Sequence, residues 1–258
     1  MMAAIGGTPR GIASMPRGGP EASWLDRRLQ TNRLEYLDRD DVDDLKCKVV
    51  RSLDRSGRLF GHKKFARIAL DEVADIPSPR VLELGSGHGG LSRKVLENHP
   101  TAQVTVTDIE PLSVAAIAAG DLGSHPRATV REMDATAIDA PDGYYDVVVF
   151  AMSLHHLRPD LAAQVFAEGT RAANKLLIID IRRPPAPLSL ALLAMTSPLI
   201  GLYPFAHDGF ISVLRAYSPS ALRTLAYHAD PAITVEFRHR GWTTVAVASR
   251  IQPNRQVP

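Results

Sequence analysis

The chain has one cysteine and almost no net charge, and each of these absences excludes a class of protein. Cys47 is the sole cysteine among 258 residues. A single thiol cannot build a disulfide framework or a four-cysteine zinc site, so we expect a reducing, cytoplasmic setting. Thirty basic and 28 acidic residues leave a net charge of +2. That balance provides no broad positive field for nucleic acid, and we expect no nucleic-acid partner.

The sequence also has no histidine spacing typical of a metal site and no unbroken apolar run long enough to span a membrane. The nine histidines show no pattern such as H-E-x-x-H, and the rings of the adjacent His155 and His156 are expected to point in different directions, so the sequence predicts no metal. The uncharged stretch 184–206 contains five prolines. Proline breaks a spanning helix, which predicts no stable membrane insertion. We expect a lid-forming or buried helix at 188–195, or an interface in a homodimer.

Composition divides the chain into segments. We expect a disordered tail at 1–20, a helical cap at 21–76, a cofactor-binding domain at 77–250 with a lid insert at 183–217, and a second tail at 251–258. Glycine and proline dominate the first tail. In the cap, Leu45, Val49 and Leu53 recur at the spacing of one helix face.

From residue 80 onward, apolar strands alternate with helix-length stretches. The predicted strands are 80–84, 103–107, 129–132, 146–150 and 175–180. This alternation predicts an α/β fold with a parallel sheet and helices on both faces. Ser218 and Pro219 then begin a helix. A hairpin of 233–237 and 242–247, turned by 238–241, is expected to close the sheet with an antiparallel pair.

A glycine-rich turn follows the first predicted strand and opens a helix. Residues 81–92 read VLELGSGHGGLS. Gly85 permits the tight turn, and Gly87 lets the backbone approach a ligand because no Cβ stands in the way. The turn satisfies both G-x-G-x-x-G and G-x-G-x-G, so by itself it does not choose between a dinucleotide and another cofactor.

Two aspartates follow the next two predicted strands. Asp108 ends the second strand, where a carboxylate can accept hydrogen bonds from ribose hydroxyls of NAD or of S-adenosylmethionine. Asp134 follows the third strand and can accept from an adenine amine, and the small Ala135 leaves room for the ring. Each aspartate alone could be a turn residue. Their shared position at carboxyl ends of strands favours a nucleoside site.

Together these motifs resemble the class I S-adenosylmethionine-dependent methyltransferases, in particular the group that acts on small natural-product-type molecules. The resemblance covers residues 75–182 and extends to about 249, on VLELGSGHGG, VTVTDIEP, MDA, DVVVFAMSLHHL and KLLIID. It implies a Rossmann-like seven-stranded sheet, mostly parallel with an antiparallel last strand, and S-adenosylmethionine as the cofactor. The cofactor site that it implies consists of Glu83, Gly85, Ser86, Gly87, Asp108, Ile109, Asp134, Ala135 and Ala151. The turn 171–175 departs from the family's usual Pro-Gly-Gly.

A histidine pair after the fourth strand is the candidate catalytic group. Imidazole titrates near neutrality, so His155 or His156 suits the deprotonation of a hydroxyl. The resemblance implies the same, because sugar and phenol O-methyltransferases of the family often carry such a pair and an aspartate at the end of the fifth strand, here Asp180. Each of the three could instead have a packing or capping role. The candidate substrate residues at the end of the insert are Tyr203, His207 and Asp208.

The sequence therefore predicts an enzyme of secondary metabolism that methylates a small acceptor, apolar or phenolic and polyketide-like, with oxygen as the favoured atom. Three alternatives stay open. An RNA methyltransferase would need a basic surface, and residues 151–154 read AMSL where an Asn-Pro-Pro-Tyr-type tetrad would stand. The others are an NAD-dependent oxidoreductase and a protein that binds S-adenosylmethionine without catalysis.

Overall fold

A computed structural model describes residues 11–36, 39, 41, 45, 61–200 and 204–250, with the backbone alone at 196–200, 204–205 and 239–240. The described residues contain a seven-stranded sheet in the order β3-β2-β1-β4-β5-β7-β6. Its strands are β1 Arg80–Leu84, β2 Gln103–Asp108, β3 Ala128–Glu132, β4 Tyr145–Ala151, β5 Ala173–Ile181, β6 Ile233–Arg240 and β7 Thr243–Arg250. The first five strands pair in parallel, and β7 runs antiparallel to both β5 and β6. The expected mixed Rossmann-like sheet is confirmed.

Helices cover both faces of the sheet. They are α1 Trp24–Arg28, α2 His62–Asp71, α3 Gly90–Asn98, α4 Pro111–Ala118, α5 Pro159–Ala172, α6 Ala186–Ile200, α7 Pro204–Arg215 and α8 Pro219–Ala229. One core joins α2 and α3 to alternate strand residues such as Val147 and Val149. A second core, on the other face, joins α5 and α8 to Val148 and Phe150. Burial on both faces explains why β4 is an almost continuous apolar run.

The closing hairpin is tighter than the sequence predicts. Arg240 pairs with Thr243, so the turn lies at Gly241 and Trp242 rather than at residues 238–241. Gly241 has a φ of +69°, which suits a residue without a Cβ. Arg238, which the sequence places in the turn, lies within β6 instead, and its guanidinium donates to the buried carboxylate of Glu72. The predicted strand end at residue 237 was wrong because β6 continues beyond its apolar residues.

The N-terminal segment packs on the domain. Part of it, residues 11–20, falls within the expected disordered tail. Here the guanidinium of Arg17 is buried, and its Nη1 atom donates to the carbonyl oxygens of His155 at 3.0 Å and Arg215 at 2.9 Å. Of the apolar positions that predict a cap helix, Val49 and Leu53 lie outside the described residues.

The lid insert, residues 183–217, contains the helices α6 and α7. The predicted helix at 188–195 falls inside α6, which is longer at both ends. Leu188, Leu190 and Met195 expose large apolar side chains on it. Within the part of the chain that the structure describes, no helix has both the length and the apolar character needed to cross a membrane.

Candidate active site

The glycine turn lies where the strand order reverses. β1 has β2 on one side and β4 on the other, and this arrangement opens a crevice at the carboxyl ends of the strands. Gly85 and Gly87 have φ values of +58° and +56°. A Cβ on Gly85 would lie 3.1 Å from the hydroxyl of Ser153, so this glycine is closely packed. A Cβ on Gly87 would meet nothing within 4 Å, so this glycine borders open space.

Asp108 joins the glycine turn to the end of β2. Its Oδ2 atom accepts a hydrogen bond of 2.8 Å from the backbone N–H of Gly87, and its Oδ1 atom accepts one of 3.0 Å from Glu110. The buried carboxylate is therefore held against the glycine turn. The next residue, Ile109, exposes 62% of its surface at this edge. An exposed aliphatic side chain beside an anchored carboxylate is an arrangement that can hold a nucleoside.

Glu83 and Ser86 differ in how their polar groups are satisfied. The buried Oε2 atom of Glu83 accepts from the backbone N–H of Ser92 at 3.0 Å and from the Ser92 hydroxyl. Burial raises the pKa of Glu83 to about 7, although the Ser92 donors act in the opposite direction. By contrast, the hydroxyl of Ser86 is buried and has no hydrogen-bond partner among the described residues. Such an orphan hydroxyl in the turn fits a site whose ligand supplies the partner.

The residues expected at the adenine lie farther along the same edge. Asp134 is exposed, and its Oδ1 atom accepts from the backbone N–H and the hydroxyl of Thr136, each at 2.8 Å. This turn orients the carboxylate, and Ala135 beside it is partly exposed. Ala151 ends β4 on the other side of β1.

A short 3₁₀ turn, Leu154–His156, carries the histidine pair directly after β4. The ring Nδ1 of the buried His155 lies 2.6 Å from Oδ1 of Asp180, at the end of β5. The backbone N–H of His155 donates to the other carboxylate oxygen at 2.9 Å. Burial by itself would raise the pKa of Asp180. The interactions of Asp180 with His155, including the hydrogen bond between the two side chains, outweigh burial and lower the pKa of this carboxyl. Asp180 therefore fixes both the backbone and the ring of His155.

Two arginines hold the same turn from the other side. Nε of Arg215, in α7, donates to the carbonyl oxygen of His155 at 3.2 Å, and its Nη2 atom donates to that of His156. Arg17 donates to the His155 carbonyl as well. Burial lowers the pKa of Arg17. The histidine turn is thus anchored by a strand end, by the insert and by the N-terminal segment.

Glu35 is the residue of this site that sequence reasoning missed. Its carboxylate is buried, with Oε1 at 3.6 Å from Nε2 of His155 and Oε2 at 3.9 Å from Nε2 of His156. The hydroxyl of Ser212, in α7, donates to Oε1 at 2.8 Å. No motif surrounds Glu35 in the sequence, and the contact joins distant parts of the chain, so no local signal could have identified it.

The two imidazoles were expected to point in different directions, and this expectation was wrong. Their ring centroids are 4.3 Å apart, their planes meet at 36°, and both Nε2 atoms face Glu35. His155 is almost fully buried, whereas the side chain of His156 is 23% exposed. His156 is therefore the member of the pair that a bound molecule can reach more easily.

His207 and Asp208 lie beside this cluster. Nδ1 of His207 is 2.9 Å from Oδ1 of Asp208, which also accepts from the backbone N–H of Tyr36 at 2.9 Å. The Ser212 hydroxyl that contacts Glu35 also lies 2.9 Å from the Asp208 carbonyl oxygen. The insert and the segment around Glu35 therefore meet at the histidine pair. Tyr203, the third candidate substrate residue, lies outside the described residues.

Comparison with known proteins agrees with this geometry. Residues 81–175 match the family model of a methyltransferase domain. A demethylmenaquinone methyltransferase of Thermus thermophilus is 30% identical over 129 residues, which are 47% of this chain and 56% of that protein. Fusarin C synthetase of Gibberella moniliformis is 26% identical over 203 residues, 75% of this chain and 5% of that protein. The chain thus spans about half of the first relative and a small part of the second.

A solved structure shares the fold over most of the chain. The plantazolicin methyltransferase BpumL, in complex with a monoazolic desmethylPZN analog and SAH, has a TM-score of 0.62 and 10% identity over 88% of this chain and 96% of that one. Residues 81–175 thus match a methyltransferase domain, and the chain shares its fold with a methyltransferase of known structure. Both findings agree with the class expected from the motifs.

Proposed function

We propose that the protein is an enzyme that transfers the methyl group of S-adenosylmethionine to an oxygen atom of a small acceptor that is apolar or phenolic and polyketide-like. The observation that carries the proposal is the anchored histidine pair at the carboxyl ends of β4 and β5, one strand from the glycine turn. Methyl transfer needs a nucleophile held in line with the donor. An oxygen nucleophile must also lose a proton, and the pair is the polar group placed to assist.

The crevice fits the cofactor of this class. Gly87 borders open space, Ser86 holds an orphan hydroxyl, and Asp108 holds an anchored carboxylate. In the proposal, Asp108 accepts from the ribose, Ile109 packs on the adenine and Asp134 accepts from its amine. Glu83, Gly85, Ser86 and Gly87 surround the methionine end. When bound, S-adenosylmethionine supplies a methyl group on an electron-poor sulfonium.

The exposed apolar side chains of the lid insert favour a small acceptor with little charge. α6 exposes Leu188, Leu190 and Met195, and α7 brings His207 and Asp208 to the histidine pair. Apolar walls exclude water around the reacting atoms and leave the few polar groups to orient the acceptor. The single cysteine favours a reducing, cytoplasmic setting for this reaction.

A product assay tests the proposal. The full chain is incubated with methyl-labelled S-adenosylmethionine and separate pools of phenols, hydroxylated polyketides, aliphatic amines and total RNA. Label in the first two pools, as a methyl ether with one S-adenosylhomocysteine formed per turnover, is expected. His156→Asn should lower that rate, and the exposed His228→Asn should not. Label confined to the amine or RNA pool contradicts oxygen methylation of a small molecule.

A further inference from the structure

The histidine pair and Glu35 form a three-ligand set for a metal ion. One ring nitrogen of His155, one ring nitrogen of His156 and one carboxylate oxygen of Glu35 all lie within 4.8 Å of one another. Two of these residues come from the turn after β4, and the third comes from the N-terminal segment. Two imidazoles and one carboxylate are a recurrent donor set of catalytic zinc and related transition-metal sites.

We propose that Glu35, His155 and His156 bind a divalent transition-metal cation of the Zn²⁺ type. Bonds of about 2.0–2.2 Å to a tetrahedral ion place ligand atoms roughly 3.4 Å apart. Nε2 of His155 lies 3.6 Å from Oε1 of Glu35, and Nε2 of His156 lies 3.9 Å from Oε2. Since the ligand atoms of the set lie within 4.8 Å of one another, a contraction of at most about 1.4 Å brings them to this spacing. Three protein ligands leave a fourth position for a ligand oxygen.

The surroundings of the three ligands fit the same chemistry. Asp180 lies 2.6 Å from Nδ1 of His155, the carboxylate–imidazole arrangement that fixes a ligating histidine and directs its other nitrogen at the metal. Ser212 holds the Glu35 carboxylate in the same way.

The role of the cation rests on the proposed function, whereas the site itself does not. An acceptor hydroxyl at the fourth position has a lowered pKa because the cation stabilises its anion. Its proton leaves to solvent, and the oxygen forms a bond to the methyl carbon. The electron pair of the broken carbon–sulfur bond returns to sulfur and yields S-adenosylhomocysteine. In this account the histidine pair assists deprotonation through the cation and does not take the proton itself.

Metal binding is measured directly. The full chain is stripped with a chelator and titrated with Zn²⁺ in competition with a chromophoric chelator, without cofactor or acceptor. The wild type is expected to bind one equivalent. Glu35→Gln and His156→Asn should each weaken binding by about 100-fold or more, since a ligand matters at least as much as its outer-shell partner. His228→Asn, an exposed histidine in α8, should bind like the wild type.

Two results overturn the site. One is a folded wild type that binds less than about a tenth of an equivalent of Zn²⁺, a measurement that does not depend on any variant. The other is equal binding by the wild type, Glu35→Gln and His156→Asn. A parallel titration with S-adenosylhomocysteine keeps this failure separate from that of the proposed function. Cofactor binding without Zn²⁺ binding would overturn the metal site but not the proposed function. Zn²⁺ binding without cofactor binding would overturn the proposed methyl transfer but not the metal site.

Discussion

His155 lies between two buried carboxylates, with Nδ1 at 2.6 Å from Asp180 and Nε2 at 3.6 Å from Glu35. One carboxylate comes from the end of β5 and the other from the N-terminal segment. The sheet and a chain segment outside it therefore define the orientation of the same ring.

Asp180→Asn should lower methyl transfer and leave cofactor binding unchanged. The amide keeps the size of the side chain but removes the charge that orients the ring of His155. Loss of such a supporting carboxylate reduces activity or metal affinity by about 10- to 100-fold. The measurement is the rate with the best acceptor together with the Kd of S-adenosylhomocysteine, and Asp139→Asn, in an exposed ion pair with Arg131, is the control. A proportional loss of cofactor affinity would show that Asp180 acts through the fold.

Gly87→Ala should weaken cofactor binding, and Gly143→Ala should not. Both glycines have positive φ, +56° and +63°, and a Cβ on either meets nothing within 4 Å. Each substitution therefore carries the same left-handed strain of about 1–2 kcal/mol. Only the Cβ on Gly87 enters the proposed cofactor space. Calorimetry with S-adenosylhomocysteine and urea unfolding of both variants separate the two effects, and equal affinities would place the cofactor elsewhere.

Glu83→Gln should make stability depend less on pH. The pKa of Glu83 rises from 4.5 to about 7 in the fold, chiefly because of burial, so the folded state keeps a proton that the unfolded state has lost. The wild type therefore loses stability as the pH rises from about 4.5 to 7, by up to about 3 kcal/mol. Glutamine has no such loss.

The test of this pH dependence is urea unfolding of both proteins at several pH values between 4.5 and 8. The free energy of unfolding of the variant minus that of the wild type should increase with pH. Every other titrating group is common to both proteins, so the difference isolates Glu83. A difference that is constant over this range would mean that Glu83 is ionised in the fold throughout.

Arg17→Met should destabilise the fold because it removes a buried donor from the histidine turn. Arg17 donates to the carbonyl oxygens of His155 and Arg215, and a hydrogen bond from a charged group contributes about 1.5–3 kcal/mol. Arg158→Met is the matched control, since the Arg158 side chain is 66% exposed and pairs only at the surface. Equal free energies of unfolding for both variants would show that the N-terminal segment contributes little to the turn.

The sheet and the glycine turn could be predicted because their signals are local. A buried strand, a turn with glycines and a strand-end aspartate such as Asp108 each lie within a few consecutive residues, and parallel pairing brings the strand ends to one edge. The hairpin was predicted with too long a turn because Arg238 and its neighbours are polar. β6 lies at the edge of the sheet, where a strand tolerates polar residues. The pattern of apolar residues therefore does not show where this strand ends.

The histidine pair was predicted, but its surroundings could not be. Arg17 and Glu35 reach His155 from the N-terminal segment and Arg215 reaches it from α7, with no common motif. Such contacts follow from the packing of the N-terminal segment and α7 on the sheet, which periodicity does not encode. The expectation of no metal rests on histidine spacing along the sequence, which says nothing about a carboxylate that arrives through tertiary structure, and it stays a prediction that the Zn²⁺ titration tests.

Cofactor recognition is the central claim, and calorimetry tests it most directly. S-adenosylmethionine, S-adenosylhomocysteine and, as a control, NAD are titrated into the wild type and into Asp108→Ala. The account predicts micromolar binding of both adenosyl ligands, about −8 kcal/mol, a loss of at least about tenfold in Asp108→Ala, and no binding of NAD. Binding of NAD in their place, or no binding of either adenosyl ligand to the folded wild type, would contradict it.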